Sequence, residues 1–340
     1  MPDQIDIVLP GLFDLPLYEL DPALVSGQLA GLNQILRLAT PRPNNAYSID
    51  AILRPVLKLG EDGDRGLPLA QACAGPQVQR RERLLLAQAV HLRADLQSAV
   101  VVPIELSDRT LEEIDILIKD LSDIFNAECN VTVLSGGRYL MELKTLGAPT
   151  HYPHILSVLG KTANPYIEQT REDLAWYRLV NEMQMFLYQH EVNRERAERG
   201  ALPINSLWFW GGGEPPGPPA EKTGWYCDDA LLNRFAESRG LSPAALDRVA
   251  DTPPSAGAVV VDLRLLEMLK TGAETGLEAV LLDIDRQLLQ PLLEAAGSSR
   301  MPLVLHAGYE FDFYLAPSSR WKFWRPPRSL ADWVARDENP

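Results

Sequence analysis

The chain has few cysteines and no apolar run long enough to cross a bilayer. Its 340 residues include three cysteines, Cys73, Cys129 and Cys227, far apart in the sequence. An odd number without metal-like spacing excludes a disulfide framework and a cysteine-based zinc site, so we expect a reducing compartment. The opening residues MPDQIDIVLPG lack the basic segment of a signal peptide. No apolar stretch approaches the ~20 residues of a membrane span. We therefore expect a cytoplasmic protein without a membrane partner.

The chain is also poor in positive charge. Lysine and arginine total 32 against 46 aspartates and glutamates, which gives a formal net charge of −14. An acidic chain is a poor partner for the phosphate backbone of nucleic acid or for anionic lipid. We therefore expect no nucleic-acid partner. The length predicts roughly two domains with a sizeable buried core.

Common phosphate, nucleotide and hydrolase motifs are missing as well. The sequence has no G-x-x-x-x-G-K-[ST], no G-x-G-x-x-G after a strand, no H-E-x-x-H and no G-x-S-x-G. The glycines at 211–213 are followed by prolines instead of the helix that a phosphate loop requires. His151 and His154 are separated by Pro153 and lack a nearby cysteine or carboxylate. This favours two surface histidines over half of a metal site.

Secondary-structure patterns divide the chain into two kinds of segment. Buried-strand patterns occur near both ends, at 5–9, 258–262 and 301–308, with helical patterns between them. The middle contains a helix pattern over 107–126, which Ser107 or Asp108 can cap, and then a hairpin pattern around Gly136-Gly137. This arrangement predicts an α/β core interrupted by a large α+β insertion. The predicted ranges are 1–84 for the first half of the core, 85–205 for the insertion and 206–340 for the second half.

The segment 190–213 has the most unusual composition. Residues 171–199 predict one long helix whose apolar stripe ends at His190, and the chain continues through INSLWFWGGG. Amide, guanidinium and indole groups in such proximity suit an anionic ligand. Alternatively, the asparagines cap a helix and a turn while the indoles fill a domain junction. His306 ends a predicted apolar strand, and the ends of such strands are where the binding sites of α/β proteins usually lie. The candidate ligand-binding residues are His190, Asn193, Arg196, Asn205, Trp208, Trp210 and His306.

Two further patterns have both a structural and a functional interpretation. RWKFWRPPR, at 320–328, combines four basic and three aromatic side chains. These could hold an acidic partner or stack on a base. Because the chain is acidic, we predict a structural anchor whose rings pack on the core. Asp283 and Asp285 lie at a predicted strand-to-helix junction. We expect one of them to cap the helix and the other to be exposed.

The spacing His190-x-x-Asn193-x-x-Arg196, followed by Asn205-Ser-x-Trp208-x-Trp210-Gly-x-Gly, resembles a segment of archaeal-type cofactor-independent phosphoglycerate mutases. In those enzymes, which belong to the alkaline phosphatase superfamily, this segment leads from a cap domain back into the core. The stretches VNEMQMFLYQHEVN and AVHLRAD resemble more specifically a bacterial family described as RpfE-type regulatory proteins. LLDIDRQLLQPLL is similar to a mutase helix that follows a metal-binding segment. The resemblance spans about 85–296 and implies an alkaline-phosphatase-like core sheet flanked by helices, with an α+β cap.

The sequence departs from the mutases where their chemistry lies. The resemblance implies two divalent metals, held by aspartates and histidines, and a serine nucleophile. Here the first strand ends at Pro10-Gly11 instead of Asp-Gly, 269–285 contains no histidine, and the later strand keeps only His306. Ser48, the only serine between 40 and 75, is followed by Ile49 instead of aspartate. A two-metal site needs about six or seven ligands.

We therefore predict a catalytically degenerate protein with a regulatory or ligand-binding role, without a metal or cofactor. Its expected partner is an anionic small molecule or a protein. The first alternative is an active metal-dependent phosphotransfer enzyme with relocated ligands. A further alternative is an interaction scaffold that uses the basic aromatic tail. The relocated ligands would come from Asp14, Asp50, His151, His154 and His306.

Overall fold

A computed structural model describes residues 4–44, 46–59, 66–74, 83–95, 98–147, 149, 151–167, 174–213, 223–272, 275–308, 310–322 and 324–334. The proline-rich segment after Gly213 lies outside these ranges. The strands are β1 (Ile5–Val8), β2 (Thr40–Pro43), β3 (Leu84–Ala94), β4 (Ala99–Pro103), β5 (Cys129–Val133), β6 (Arg138–Leu143), β7 (Ser206–Trp210), β8 (Gly224–Cys227), β9 (Pro243–Ala244), β10 (Ala258–Val261), β11 (Leu303–His306) and β12 (Phe311–Leu315).

The α-helices lie before, between and after these strands. They are α1 (Ala30–Leu38), α2 (Ile49–Val56), α3 (Leu69–Ala72), α4 (Asp108–Ile124), α5 (Ile155–Val158), α6 (Asn164–Ile167), α7 (Leu174–Gln189), α8 (Glu191–Glu198), α9 (Ala230–Ser238), α10 (Arg248–Asp251), α11 (Arg264–Thr271), α12 (Leu277–Ile284), α13 (Gln290–Ser299) and α14 (Leu330–Val334). Short 3₁₀ helices occupy Leu17–Glu19 and Pro317–Trp321, and π-helical turns occupy Leu24–Gln28 and Asp285–Leu289. None of the helices in the described ranges is both long and apolar enough to span a bilayer.

The chain forms two compact units. The first comprises Met1–Glu61 and Gly217–Pro340, and the second comprises Asp62–Pro216. The second unit contains the predicted insertion 85–205 and extends beyond it on both sides. Residues 206–210, which the sequence analysis placed in the second half of the core, are strand β7 of the second unit. The difference arises because β7 pairs along its whole length with β3.

The first unit is built on a seven-stranded sheet with the order β2-β12-β11-β1-β10-β8-β9. The five strands from β11 to β9 are parallel, and β12 runs antiparallel to both of its neighbours. All residues of β1, β10 and β11 are buried, as expected for parallel strands covered on both faces. Apolar side chains of these strands pack with those of α1, α12 and α13 in one core.

The second unit has a five-stranded antiparallel sheet. The long strand β3 pairs with β6 through its first half, with β4 through its second half, and with β7. Gly136 and Gly137, both with a φ of +69°, form the turn of the β5–β6 hairpin, so the predicted hairpin is confirmed. The Ser107 cap of α4 is also confirmed, since its side chain accepts a hydrogen bond from the Thr110 N–H. Both units therefore have the predicted mixed α/β composition, with helices flanking the sheets.

The predicted single helix over 171–199 is wrong. The structure has two helices, α7 and α8, which are separated at His190. His190 has an extended backbone (φ −67°, ψ 145°), and its Nδ1 accepts from the Val192 N–H, as in a helix N-cap. The apolar periodicity does not reveal this break, because His190 continues the stripe while its backbone leaves the helix.

Candidate functional site

His306 lies between two carboxylates in the first unit. Its Nε2 is 3.1 Å from Asp6 Oδ1, and its Nδ1 is 3.0 Å from Asp312 Oδ2. These side chains meet because β11 pairs with β1 on one side and with β12 on the other, and His306 is directly opposite Asp312. Gln4 Nε2 donates to Asp6 at 2.7 Å, and Asn44 Nδ2 donates to Asp312 at 2.9 Å. Asp6 and His306 are buried and Asp312 is partly exposed. We call Asp6, His306 and Asp312 the buried triad.

The electrostatics of the buried triad favour a protonated histidine. Burial lowers the pKa of His306, but the hydrogen bonds and charges of Asp312 and Asp6 outweigh it and raise that pKa to about 9. At neutral pH, His306 is therefore an imidazolium that donates from both ring nitrogens. A metal ligand must instead be a neutral imidazole with a free lone pair. As placed, His306 does not offer one.

Another acid at the carboxyl end of the parallel strands is held by an arginine. Asp262 directly follows β10 and is buried. Arg264 Nη2 donates to Asp262 at 2.7 Å, and Arg264 Nε lies 3.1 Å from both carboxylate oxygens. Arg264 Nη1 also donates to the half-exposed Asp283 at 2.6 Å. Shortly after the end of β1 lies Pro10, whose side chain has no atom that can bind a metal. The residues here do not fit the two-metal centre that the resemblance implies.

Asp285 forms a helix cap, but for a distant helix. Its two carboxylate oxygens accept from the N–H groups of Gly31 (3.1 Å) and Leu32 (2.7 Å), in the first turn of α1. Gln290 Nε2 donates to the same carboxylate at 2.7 Å. A Cβ on Gly31 would lie 3.1 Å from Asp285 Oδ1, so glycine permits this close approach. Asp285 is thus a cap, and Asp283 is half-exposed and paired with Arg264. The predicted strand-to-helix junction is wrong, because α12 continues through a π-helical turn into α13.

In the second unit, the asparagines of segment 190–213 join backbone segments. Asn193 Nδ2 donates to the carbonyls of Leu187 (2.7 Å) and Ile204 (2.8 Å), and its Oδ1 accepts from the Ile204 N–H. Asn205 uses both ends of its amide on Leu92, accepting from the N–H at 2.7 Å and donating to the carbonyl at 2.9 Å. The Asn205 side chain therefore continues the β3–β7 ladder by one step.

The two indoles of this segment are buried in an aromatic cluster. Trp208 Nε1 donates to the Pro153 carbonyl at 3.1 Å, and its ring meets Tyr152 edge-on at 5.3 Å. The Trp210 ring is 4.3 Å from that of His154. His154 is buried, and its Nδ1 accepts from the Leu156 N–H at the start of α5. The prediction of two surface histidines is therefore wrong for His154.

Arg196 belongs to an ionic cluster that the sequence analysis missed. Its Nε donates to the Leu202 carbonyl at 2.8 Å, and its Nη1 donates to Glu113. Arg109 and Arg199 contact the same carboxylate. Burial raises the pKa of Glu113, but the hydrogen bonds from Arg196, Arg109 and Arg199 lower it further, so the net pKa is below its ordinary value. Glu113 lies on the apolar face of α4. An acid on an apolar face was the one feature of the sequence from which a buried basic partner could have been predicted.

The remaining candidates are dispersed. His190 Nε2 faces Asp120 Oδ2 at 3.1 Å. The His151 ring stacks near Tyr152 at 4.5 Å. Asp14 is exposed, and Asp50 is buried in the first turn of α2. Within the described ranges, no three histidine, cysteine, aspartate or glutamate side chains converge as a metal site would require.

The basic aromatic tail is anchored by an arginine. Arg325 Nη1 donates to the carbonyls of Leu38 (3.2 Å) and Ala39 (2.9 Å) at the end of α1. Trp321 and Trp324 are 65% and 70% exposed. The prediction that the tail rings pack on the core is therefore wrong for these two residues, while Phe323 lies outside the described ranges.

The fold and these contacts define an α/β protein whose first unit carries a protonated histidine between two aspartates.

No protein-family model matches the chain. In sequence it is similar to archaeal 2,3-bisphosphoglycerate-independent phosphoglycerate mutases. That of Methanosarcina barkeri is 33% identical over 107 residues, which cover 31% of this chain and 27% of the relative. That of Methanosarcina mazei is 24% identical over 219 residues, which cover 57% of this chain and 55% of the relative.

The similarity to the mutases is thus confirmed, and the chain spans between about a quarter and about half of the length of these relatives. Among solved structures, a cofactor-independent phosphoglycerate mutase from Thermoplasma acidophilum aligns with a TM-score of 0.40 and 15% identity. That alignment covers 92% of this chain and 90% of the other.

Proposed function

We propose that the chain is a catalytically degenerate relative of the cofactor-independent phosphoglycerate mutases, with a regulatory or ligand-binding role. The observation that carries this proposal is the buried triad, in which both nitrogens of His306 donate to carboxylates. A histidine committed in this way stabilises the sheet and leaves no lone pair for a metal. Pro10 at the end of β1 and the Asp262–Arg264 pair support the same conclusion. The finer relation to RpfE-type regulatory proteins is part of the proposal.

Within this proposal, the candidate residues of segment 190–213 hold helices and strands of the second unit together instead of contacting a ligand directly. Asn193, Asn205 and Arg196 use their polar groups on backbone carbonyls, backbone N–H groups and Glu113. This supports the interpretation in which the asparagines join elements and the indoles fill space.

The test is a combined measurement of metal content and turnover. We expect the purified protein, incubated with manganese or zinc and then desalted, to retain no stoichiometric metal. We also expect it not to interconvert 2- and 3-phosphoglycerate. An archaeal mutase treated in parallel serves as the positive control. Retention of about two metal equivalents together with turnover would establish the active enzyme with relocated ligands and overturn the degenerate assignment.

A second candidate function, an interaction scaffold, is favoured by the exposed rings of Trp321 and Trp324 beside Lys322. Exposed indoles next to cations suit an acidic protein segment, because aromatic and basic side chains together often anchor interfaces. Tryptophan fluorescence during titration with a polyglutamate peptide tests this role. We expect the Trp321→Ala/Trp324→Ala variant to lose most of the binding. Equal binding by this variant and by the wild-type protein would contradict the scaffold.

A further inference from the structure

The first unit contains a cleft that neither the sequence analysis nor the buried triad explains. It has a volume of about 690 Å³ and lies between α1, residues 327–329 and α14. Its size falls within the range of about 300–1,000 Å³ that is typical of small-molecule sites. Its polar lining includes Ser26, Asn33, Gln34, Arg37, Arg328 and Asp332. We propose that this cleft binds a small phosphate monoester.

Reciprocal contacts between α1 and the tail form one wall. Arg325 Nη1 donates to the Leu38 and Ala39 carbonyls, and Arg37 Nε donates to the Arg325 carbonyl at 2.8 Å. A cationic side chain is stabilising at the carboxyl end of a helix, where carbonyls are left without partners. These bonds hold the tail beside the last turn of α1, and they place Pro327 and Arg328 along the cleft.

The opposite wall is set by the start of α14. The N–H and Oγ of Ser329 both donate to Asp332 Oδ2, at 2.7 and 2.9 Å. Leu330 is fully buried, and Trp333 packs edge-on against Phe313 at 4.9 Å. The wall is therefore attached to the apolar core through α14, and the cleft does not depend on exposed side chains alone.

The charge of the cleft favours an anion. Arg37 and Arg328 contribute two positive charges, and Asp332 is the one acid in its lining among the described residues. The Asp332 carboxylate already accepts two hydrogen bonds from Ser329. The Arg328 guanidinium lies 5.5 Å from the Trp333 ring and makes no hydrogen bond to the described residues. A chain with a formal charge of −14 thus has a locally positive cleft.

The lining also indicates the chemistry of the ligand. Guanidinium groups bind phosphate and carboxylate oxygens through paired N–H donors. Arg37 Nε is already bonded to the Arg325 carbonyl, so Arg328 is the guanidinium that we assign to the ligand. The two positive charges together match the dianionic charge of a phosphate monoester. The Ser26 hydroxyl donates to the Pro22 carbonyl and remains an acceptor, and the Gln34 amide supplies a donor and an acceptor suited to a hydroxylated body. The inference rests on the ligand-binding role proposed above, but not on the loss of catalysis.

The test is isothermal titration of the wild-type protein and of two variants with glycerol 3-phosphate, with glycerol as the uncharged control. Arg328→Gln removes a charge from the cleft. Lys322→Gln removes a charge from the same tail but outside the cleft lining. Loss of a charge-assisted hydrogen bond weakens binding by about tenfold or more. We expect this loss in Arg328→Gln, a change of less than about twofold in Lys322→Gln, and no binding of glycerol.

Thermal unfolding first shows that each variant is folded, and turnover is measured separately. If Arg328→Gln binds glycerol 3-phosphate as tightly as the wild-type protein does, the cleft is not the site, although a ligand-binding role can stand. If the wild-type protein binds no glycerol 3-phosphate at about 10 mM, the inference fails. Mutase turnover together with loss of binding in Arg328→Gln would overturn the degenerate assignment and leave the cleft supported.

Discussion

At the scale of single residues, His306 shows how strand pairing changes the chemistry of a side chain. A strand-terminal histidine in an α/β sheet suggests a ligand or a catalyst. Asp6 and Asp312, separated from it by 300 and 6 residues, convert it into a buried cation. The role that we propose for His306 is therefore structural.

The first prediction concerns the pH dependence of stability. The pKa of His306 rises from its usual 6.5 to about 9 on folding. Its contribution to the free energy of unfolding is therefore fully present below about pH 6.5 and is lost as the pH rises through about 9. The shift corresponds to at most about 3 kcal/mol. Urea unfolding of the wild-type protein between pH 6.5 and 9.5 should show this loss.

The His306→Gln variant is the reference for that measurement. It should be less stable at pH 6.5, because two carboxylates lose their cationic partner, by about 3–5 kcal/mol. The difference in stability between the wild-type protein and the variant should shrink as the pH rises to 9.5. A difference that stays constant over this window would show that His306 is neutral in the folded protein.

The second prediction concerns the Glu113 cluster. Glu113→Gln leaves the buried Arg196 guanidinium without a charged partner, and we expect a loss of about 3 kcal/mol in the free energy of unfolding. Glu112→Gln makes the same chemical change at an exposed neighbouring position and should alter stability by less than about 0.5 kcal/mol. Denaturant titration of both variants measures the effect, and equal stabilities would show that the cluster contributes nothing.

At the scale of elements, α1 is held at both ends by residues far away in the sequence. The Asp285 carboxylate accepts from its first turn, and Arg325 donates to its last carbonyls. Both charges have the sign that the helix dipole favours at that end. A nine-residue helix is too short to be stable alone, so these contacts and the packing of its apolar face maintain it.

The third prediction follows from this arrangement. Asp285→Ala removes the acceptor of two backbone N–H groups in a buried position, which should cost about 2–3 kcal/mol. Asp283→Ala removes a half-exposed acid from the adjacent turn and should cost less than about 1 kcal/mol. Thermal unfolding compares the two variants. A loss in Asp285→Ala no larger than that in Asp283→Ala would be inconsistent with a remote cap.

The fourth prediction contrasts the buried Trp333 of α14 with the exposed Trp324 of the basic aromatic tail. Trp333 is 8% exposed and packs against Phe313, so Trp333→Ala should cost about 3–5 kcal/mol. Trp324→Ala removes an exposed ring and should change stability by less than about 0.5 kcal/mol. Chemical denaturation of both variants checks this contrast. A large loss in Trp324→Ala would restore the anchor that the sequence analysis predicted.

At the scale of the whole molecule, the proposed lack of a metal centre has a measurable consequence. The fifth prediction is that prolonged treatment with EDTA, followed by desalting, leaves the melting temperature within about 1 °C of the untreated value. A bound metal would instead stabilise the folded state by linkage. A known metalloprotein treated alongside should show the drop that loss of a bound metal gives. A comparable drop in this protein would contradict the proposed function.

Patterns that depend on neighbouring residues were predictable from the sequence. The apolar runs of β1, β10 and β11, the Ser107 cap and the β5–β6 hairpin all follow from side chains within a few positions. The similarity to mutases also rests on a local run of residues. The break at His190 was missed because the residue continues the apolar stripe while its side chain caps α8. The pairing of β7 with β3 was missed because the partner strand is distant in sequence.

The sequence by itself determined the mixed α/β composition, the negative net charge and the similarity to the mutases, since periodicity, charge and motif spacing are properties of the chain. Only the tertiary structure decided what the polar side chains do. The ionisation of His306, the partners of Glu113 and the positive cleft beside α1 each arise from residues that are distant in sequence and close in space. Burial then makes those contacts decisive, because an unpaired charge in the interior is costly.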